Sequence, residues 1–420
     1  MKWLKESAAA WPEKKFLGEL TFGEAFSRVE EIAYRYALLG DRQVAFAPRN
    51  REEDALTLFS LLALGKEVLL LNPKLPETEI VSQMRKLHIY TRIFAGTPGL
   101  AMKGPAPVDW APADDKVAVL MNTSGTTGDV KTIPITWGMI SSHVAASAEA
   151  LGVEENDCWL DELPIFHVSG LSILMRSLYN VTRVVFRDVD GSANMVSWVP
   201  TQLQEKLESL NPGKFRVILL GGTSLPERLI VRSFERGLRV YKTYGMTETF
   251  SQSVTFSIQD FPEKLESVGK PLPGVEVSFA EDREILLSSP MLMTGYLGRE
   301  PLPGHEFATG DIGHLDADGF LYVEGRKSDL MISGGENIFP AEIENVAYQF
   351  AGVREAAVVA REDAKWGQVP VLYVVGDVDE EALLSFLREK LVVFKVPKIV
   401  VKLDGLPKNA TGKILKKELK

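Results

Sequence analysis

The sequence predicts an α/β protein built on largely parallel sheets and completed by a small α+β unit. Three observations carry this. Over the first 120 residues, helix-like spacings of apolar residues alternate with short apolar strands, and helices set between strands require crossovers and hence parallel pairing. Next, VAVLMNTSG from Val117, RVILLGGTS from Arg216 and LRVYKTYG from Leu238 each run an apolar strand into glycine, threonine or serine. Past about Pro271 the texture changes to short β-like segments (VEVSFA, REILLSS, FLYVEGR), and a new unit begins after Arg326.

Composition bounds the class. The 420 residues suggest two to three domains at about 150 residues each. With 45% hydrophobic and 25% charged residues, disorder is excluded as the dominant state. A formal charge of −10 and a pI near 5.3 disfavour nucleic acid and anionic membrane surfaces as partners. The single cysteine, Cys158, excludes an internal disulfide or a cysteine metal cluster and fits a reducing compartment. Glu6 and Glu13 interrupt the stretch where a signal peptide needs an apolar run, and Ala55–Gly65 is too short to span a bilayer. A cytoplasmic location without membrane insertion is expected.

The elements follow in order. Thr21 with Glu24 three residues on is a helix start, followed by Phe26, Val29, Ile32 and Ala33 at helical spacing. QVAFA within 41–48 reads as a strand, 52–64 as an amphipathic helix, and EVLLL at 67–71 as a buried strand. After Arg326 come a glycine pair, a helix from Pro340, strands AAVVA and VPVLYVVG, and a helix near 379–391. The last nineteen residues carry six lysines against Asp404 and Glu418, a local net of +4 in an acidic chain. In open α/β sheets ligands gather where strand carboxyl ends meet their loops, so the three polar loops point to one composite site.

The strongest local motif is TSGTTGDVK, 123–131. Small and hydroxyl residues let a backbone fold around phosphate and donate N–H and O–H groups, and Lys131 adds a point charge; the plain alternative is a turn between strand and helix. The Walker loop does not fit, because Val130 stands where a glycine must precede the lysine. In YGMTET, 244–249, Glu248 has the chemistry to hold Mg²⁺ and Thr247 to meet phosphate, or the segment caps a helix. Asp311 in FATGDIG suits a ribose diol or a turn. GRKSDLMISGGENIFPAEIE, 325–344, makes a hairpin whether or not it has a function, and the terminal lysines of LPKNATGKILKKEL read as a solvated face with one exception. His167 lies among apolar residues, where packing is the commoner role. The other histidines show no zinc spacing.

The order of these motifs, TSGTTG-x-x-K, FHVSG, GGTSLP, YGMTET, TGD, GR…GGENIFPAEIE and TGK, resembles that of the acyl-adenylate-forming (AMP-binding) superfamily over nearly the whole chain. The resemblance implies a large N-terminal domain of stacked αβ subdomains plus a β-barrel-like part, 1–327, and a small mobile α+β C-terminal domain, 328–420. It assigns Thr123, Ser124, Gly125, Thr126, Thr127, Gly128 and Lys131 to the ATP phosphates, and Gly221, Gly222 and Thr223 to the adenine and acyl pocket. Tyr244 would stack on adenine. Thr247 and Glu248 would hold phosphate and Mg²⁺, with Thr127 a second metal contact. Asp311 and Arg326 would grip the ribose, and Ser328 would be the hinge. Lys413 would be the mobile lysine of adenylation, while Gly334 and Gly335 would flank the pantetheine tunnel.

Within the superfamily, PIFHVSGLS, RVILLGG, YKTYGMTETFSQ and GRKSDLMISGGENIFPAEIE are most similar to the o-succinylbenzoate–CoA ligase family of menaquinone biosynthesis. That resemblance puts His167, Ser169, Gly170, Gly245 and Met246 around the acyl pocket, with His167, Lys131, Glu248 and Lys413 as the catalytic set. It implies ATP, Mg²⁺, CoA and a small carboxylic acid as the partners. Three departures stand out: Val130 where many members carry proline, Ser328 where many carry aspartate at the hinge, and a short stretch before the phosphate loop. Another aryl or fatty acid–CoA ligase, or a carrier-loading adenylation enzyme, is the alternative. Homo-oligomerisation stays open.

Overall fold

A computed structural model describes residues 1–96, 108–124, 130–222, 225–408 and 414–419. Its first sheet runs in the order Arg92–Ile93, Gln43–Phe46, Glu67–Leu70, Val117–Ser124, Val130–Thr136. Pairing is parallel until the last strand, which returns antiparallel. The residues of Glu67–Leu70 are all buried, as expected of strands covered on both faces. The capping box read from Thr21 and Glu24 forms: the Glu24 amide donates to Thr21 Oγ1 at 3.2 Å, and the Thr21 amide to Glu24 Oε2 at 2.8 Å. It starts the helix Phe22–Tyr36.

A second sheet has nine strands. Its interior, Val240–Met246, Val217–Leu220, Met195–Trp198, Cys158–Leu160, Arg183–Val185 and Lys15–Leu17, is parallel throughout. Antiparallel strands Ser251–Ser257 and Lys270–Pro271 complete one edge. One apolar core joins the two sheets, with Phe46 and Val68 from the first, Trp159 and Val217 from the second, and Ile140 and Leu174 from helices between them. These are the stacked αβ subdomains.

The barrel-like part takes the form of an open antiparallel sheet of four strands, Glu276–Phe279, Glu284–Ser288, Glu306–Leu315 and Leu321–Arg326. It shares a core with Val254 of the nine-stranded sheet and with Leu272, just past that sheet's edge strand. The remaining sheet starts at Met331–Ser333 and includes the long hairpin Val353–Asp363 and Gly367–Gly376. Helices Pro340–Gln349 and Glu380–Lys390 supply Ile343, Leu383 and Leu387 to its core. Asp379 caps the second helix through its carboxylate and the Ala382 amide, 2.8 Å apart. Among the described residues, no helix is long and apolar enough to cross a membrane.

Candidate active site

The strand Val240–Met246 ends in a single 3₁₀ turn, Thr247–Thr249, and the chain returns as Ser251–Ser257. YGMTET is therefore a strand end with one tight turn and caps no α-helix. The return needs Gly245, where an added Cβ would lie 1.7 Å from the Ser251 carbonyl oxygen. Tyr244 lies near the end of that strand and Glu248 in the turn just beyond it.

At the Tyr244 end a charged corner forms. The Tyr244 hydroxyl donates to Asp311 Oδ2 at 2.7 Å, and Arg326 Nη1 lies 3.1 Å from Asp311 Oδ1. The Arg326 group also donates to the Thr309 carbonyl at 2.5 Å. Asp311 and Arg326 are register partners on adjacent strands, so Asp311 is a strand residue here and belongs to no turn. Burial and the Asp311 carboxylate push the Tyr244 phenol well above its ordinary pKa, which keeps it a donor.

At the Glu248 end, Tyr296 donates its hydroxyl to Glu248 Oε1 at 2.8 Å. The Lys131 ammonium sits 4.7 Å from the centroid of the same ring. Burial first, then the Glu248 charge, raises the Tyr296 phenol. Lys131 lies on the strand Val130–Thr136, opposite Thr123 across an antiparallel pair. The described ends of the motif thus lie on paired antiparallel strands and do not lead from strand to helix; the helix Trp137–Leu151 begins only at the Thr136 cap. Gly125, Thr126, Thr127, Gly128, Thr223 and Lys413 lie outside the described residues, as do the side chains of Ser124 and Val130.

No group of three or more His, Cys, Asp or Glu side chains suited to a metal occurs among the described residues. A lone carboxylate at Glu248 beside a lysine fits Mg²⁺, which binds through one or two carboxylates plus substrate phosphates. Gly221 packs tightly, since a Cβ there would lie 2.7 Å from the Thr243 carbonyl oxygen; Gly222 follows it. Thr247 accepts the Phe250 amide on its carbonyl, and Met246 joins the core beneath.

His167 is the N-terminal flanking residue of helix Val168–Asn180, which includes Ser169 and Gly170. At Gly170 a Cβ would come within 2.5 Å of the Leu163 and Pro164 carbonyl oxygens, so the helix lies directly on the incoming chain. Burial lowers His167 to about 4, which leaves the ring neutral at ordinary pH.

Two turns along that helix lies Arg176, 2% exposed. Its Nε donates to Ser147 Oγ at 2.9 Å and its Nη2 to Gln252 Oε1 at 3.2 Å; His143 Nε2 lies 3.4 Å from Nη2. Gln252 is the register partner of Gly245, which ties this guanidinium to the strand end bearing Tyr244 and Glu248. Desolvation lowers Arg176 to about 9. The Asp161 carboxyl is buried, and burial raises its pKa well above the ordinary range, outweighing the Leu163 amide and the Arg176 charge, which both lower it. Sequence reading missed Arg176, Gln252, Asp161 and Tyr296. A signal existed for Arg176, the one charged residue in VSGLSILMRSLYN.

Gly334 and Gly335, both with positive φ, form the two-residue turn between Met331–Ser333 and Glu336–Ile338, the geometry that a tight hairpin demands. Ser328 sits in the 3₁₀ turn Lys327–Asp329 between the last two sheets. Lys408 and Ile414 form an antiparallel bridge.

Comparison with known proteins agrees with this layout. Residues 90–297 match the AMP-binding enzyme model and 342–413 the AMP-binding enzyme C-terminal domain. The 2-succinylbenzoate–CoA ligase of Lactococcus lactis is 49% identical over 452 residues, covering all of both chains. The o-succinylbenzoate CoA synthetase of Bacillus subtilis in complex with the acyl-adenylate intermediate OSB-AMP superposes with a TM-score of 0.91. It is 35% identical, over 100% of this chain and 98% of that one. The same enzyme in complex with ATP and magnesium ion gives 0.90, at 35% identity over 100% and 99%.

Proposed function

Because the chain belongs to the AMP-binding enzymes, in the family of the 2-succinylbenzoate–CoA ligases, we propose that it is an AMP-forming acid–CoA ligase acting on 2-succinylbenzoate. In the first half-reaction a carboxylate oxygen attacks the α-phosphorus of ATP and pyrophosphate leaves. In the second, the CoA thiol attacks the acyl-AMP carbonyl and AMP leaves with the carboxylate's oxygen on its phosphate.

Two anions meet in the first step, so the residues around them must neutralise charge and hold an in-line geometry. Lys131 supplies one cation on the phosphate side, and Lys413 the mobile second. Tyr296 fixes Glu248, the carboxylate that would hold Mg²⁺; the ion, when bound, neutralises phosphate charge. Asp311, held by Tyr244 and Arg326, would accept from the ribose hydroxyls. His167, neutral and backed by Gly170, borders the acyl group. For the thiol step Lys413 must withdraw and the Gly334–Gly335 turn must admit a pantetheine arm. A C-terminal domain, 328–420, turning about Ser328 meets both demands.

The observation that carries the substrate choice is Arg176. The named acid has two carboxylates, one activated and one spectator, and the spectator needs a buried cation. Arg176 provides one, 2% exposed and linked through Gln252 to the strand end. A cytoplasmic enzyme of small-molecule partners fits this role. The test is pyrophosphate release with 2-succinylbenzoate, benzoate, a fatty acid and an amino acid. Fastest turnover is expected for the first, and faster turnover of any other retires this substrate.

A further inference from the structure

Two backbone carbonyls at the edge of the C-terminal domain are satisfied by side chains of the N-terminal domain. Tyr348 lies in the last turn of helix Pro340–Gln349, where carbonyls have no N–H partner within the helix and where a cation is favoured by the helix dipole. That turn carries no basic residue of its own. The cation comes from across the boundary: Arg228 Nη1 donates to the Tyr348 carbonyl at 3.4 Å. Arg228 itself stands in the first turn of helix Glu227–Glu235, a position where a positive charge opposes its own helix dipole. Its placement favours the neighbouring helix and disfavours its own.

The second carbonyl belongs to Arg354, inside the register shift between Val353 and Glu355. A shift of this kind leaves a backbone group outside the ladder. Gln204 Nε2, from helix Pro200–Lys206, donates to it at 3.2 Å.

We infer that Arg228 and Gln204 are positioning residues that hold the C-terminal domain in the arrangement used for adenylation. This rests on the reading that the domain turns between the half-reactions. In this orientation both carbonyls are capped by the larger domain, and turning about Ser328 exchanges those caps for water. Neither side chain touches the reacting groups, so their effect falls on the balance between arrangements and leaves the chemistry of each step intact.

The experiment uses the full chain with Arg228→Ala and Gln204→Ala, singly and together, and Arg228→Lys. Acyl-AMP formation is followed by pyrophosphate release without CoA, and thioester formation from supplied acyl-AMP. The double variant should lose about fivefold in adenylation, the lower end of a conformational coupling, with thioester formation unchanged or faster. Arg228→Lys should recover part of the loss, since an ammonium still meets the helix end. Equal loss in both half-reactions, or loss in neither, overturns the inference. Amide hydrogen exchange in helices Glu227–Glu235 and Pro340–Gln349 gives a readout independent of substrate. Faster exchange is expected in the double variant, and unchanged exchange overturns the inference by itself. Wild-type protein that releases no pyrophosphate with any acid counts against the proposed function, and exchange then decides the contact alone.

Discussion

Tyr296 holds Glu248 by a 2.8 Å hydrogen bond from its hydroxyl to Oε1 while its ring carries the Lys131 ammonium 4.7 Å from the centroid. One side chain therefore contacts both a carboxylate and an ammonium at this end of the site. Tyr296→Phe keeps the ring and removes the hydroxyl. A hydrogen bond to a charged group contributes about 1.5–3 kcal/mol, so pyrophosphate release should fall by about tenfold or more, with weaker Mg²⁺ dependence. An unchanged magnesium titration would show that Glu248 needs no such support.

Arg176 should discriminate between acids. Truncating one partner of a buried, hydrogen-bonded charge pair costs about 2–5 kcal/mol, so Arg176→Gln should raise KM for 2-succinylbenzoate by about thirtyfold or more. Benzoate, with no second carboxylate, should be turned over as before. A thermal melt checks that the fold survives, and equal losses for both acids would remove Arg176 from the acyl pocket.

Asp161 makes stability depend on pH in a definite direction. Its carboxyl pKa is raised on folding, so the folded state keeps a proton that the unfolded chain has lost. Stability then falls as pH rises above the ordinary carboxylate range. Asp161→Asn removes that slope. Arg176, lowered to about 9, and His143, lowered well below its ordinary value by burial and Arg176, face the same space; they are retained in the variant and largely cancel in the comparison. Denaturation midpoints between about pH 5 and 8 should show wild type losing ground to Asp161→Asn as pH rises. Parallel curves would mean that the carboxyl is not held protonated.

Lys413→Ala should cut acyl-AMP formation by about a hundredfold, the scale of removing one preorganised charge-stabilising group, yet largely spare thioester formation from supplied acyl-AMP. The flanks are anchored without it: Lys416 Nζ lies 2.6 Å from Glu344 Oε1, and Leu419 is buried with Leu406 and Tyr373. A comparable loss in both half-reactions would argue against a lysine that acts in only one of them.

Much of the fold was legible because it is written in local patterns. Thr21 and Glu24 declare a helix start, EVLL a covered strand, and the segment from 379 a second helix, since each depends on neighbours within four residues. The motif TSGTTGDVK was legible as composition, while its plain alternative, a turn between strand and helix, gave way to paired strands. Nothing local in TSGTTGDVK tells a hairpin from a strand-to-helix turn, because the pairing of Thr123 with Lys131 becomes favourable only once a sheet edge exists to receive it.

The sequence by itself determined the order of the candidate residues: a glycine- and hydroxyl-rich loop, a strand-end tyrosine and glutamate, an aspartate and arginine, a glycine pair and a terminal lysine. Only the tertiary structure decided which groups share one space. Tyr244 meets Asp311 across 67 residues, Tyr296 meets Glu248 across 48, and Arg176 meets Gln252 across 76. Such pairs leave no periodicity in the chain, because a buried charge or hydroxyl is satisfied by whatever side chain the sheet order brings beside it. Burial then sets its protonation. The identity of each residue is local, while its partner and its pKa belong to the fold.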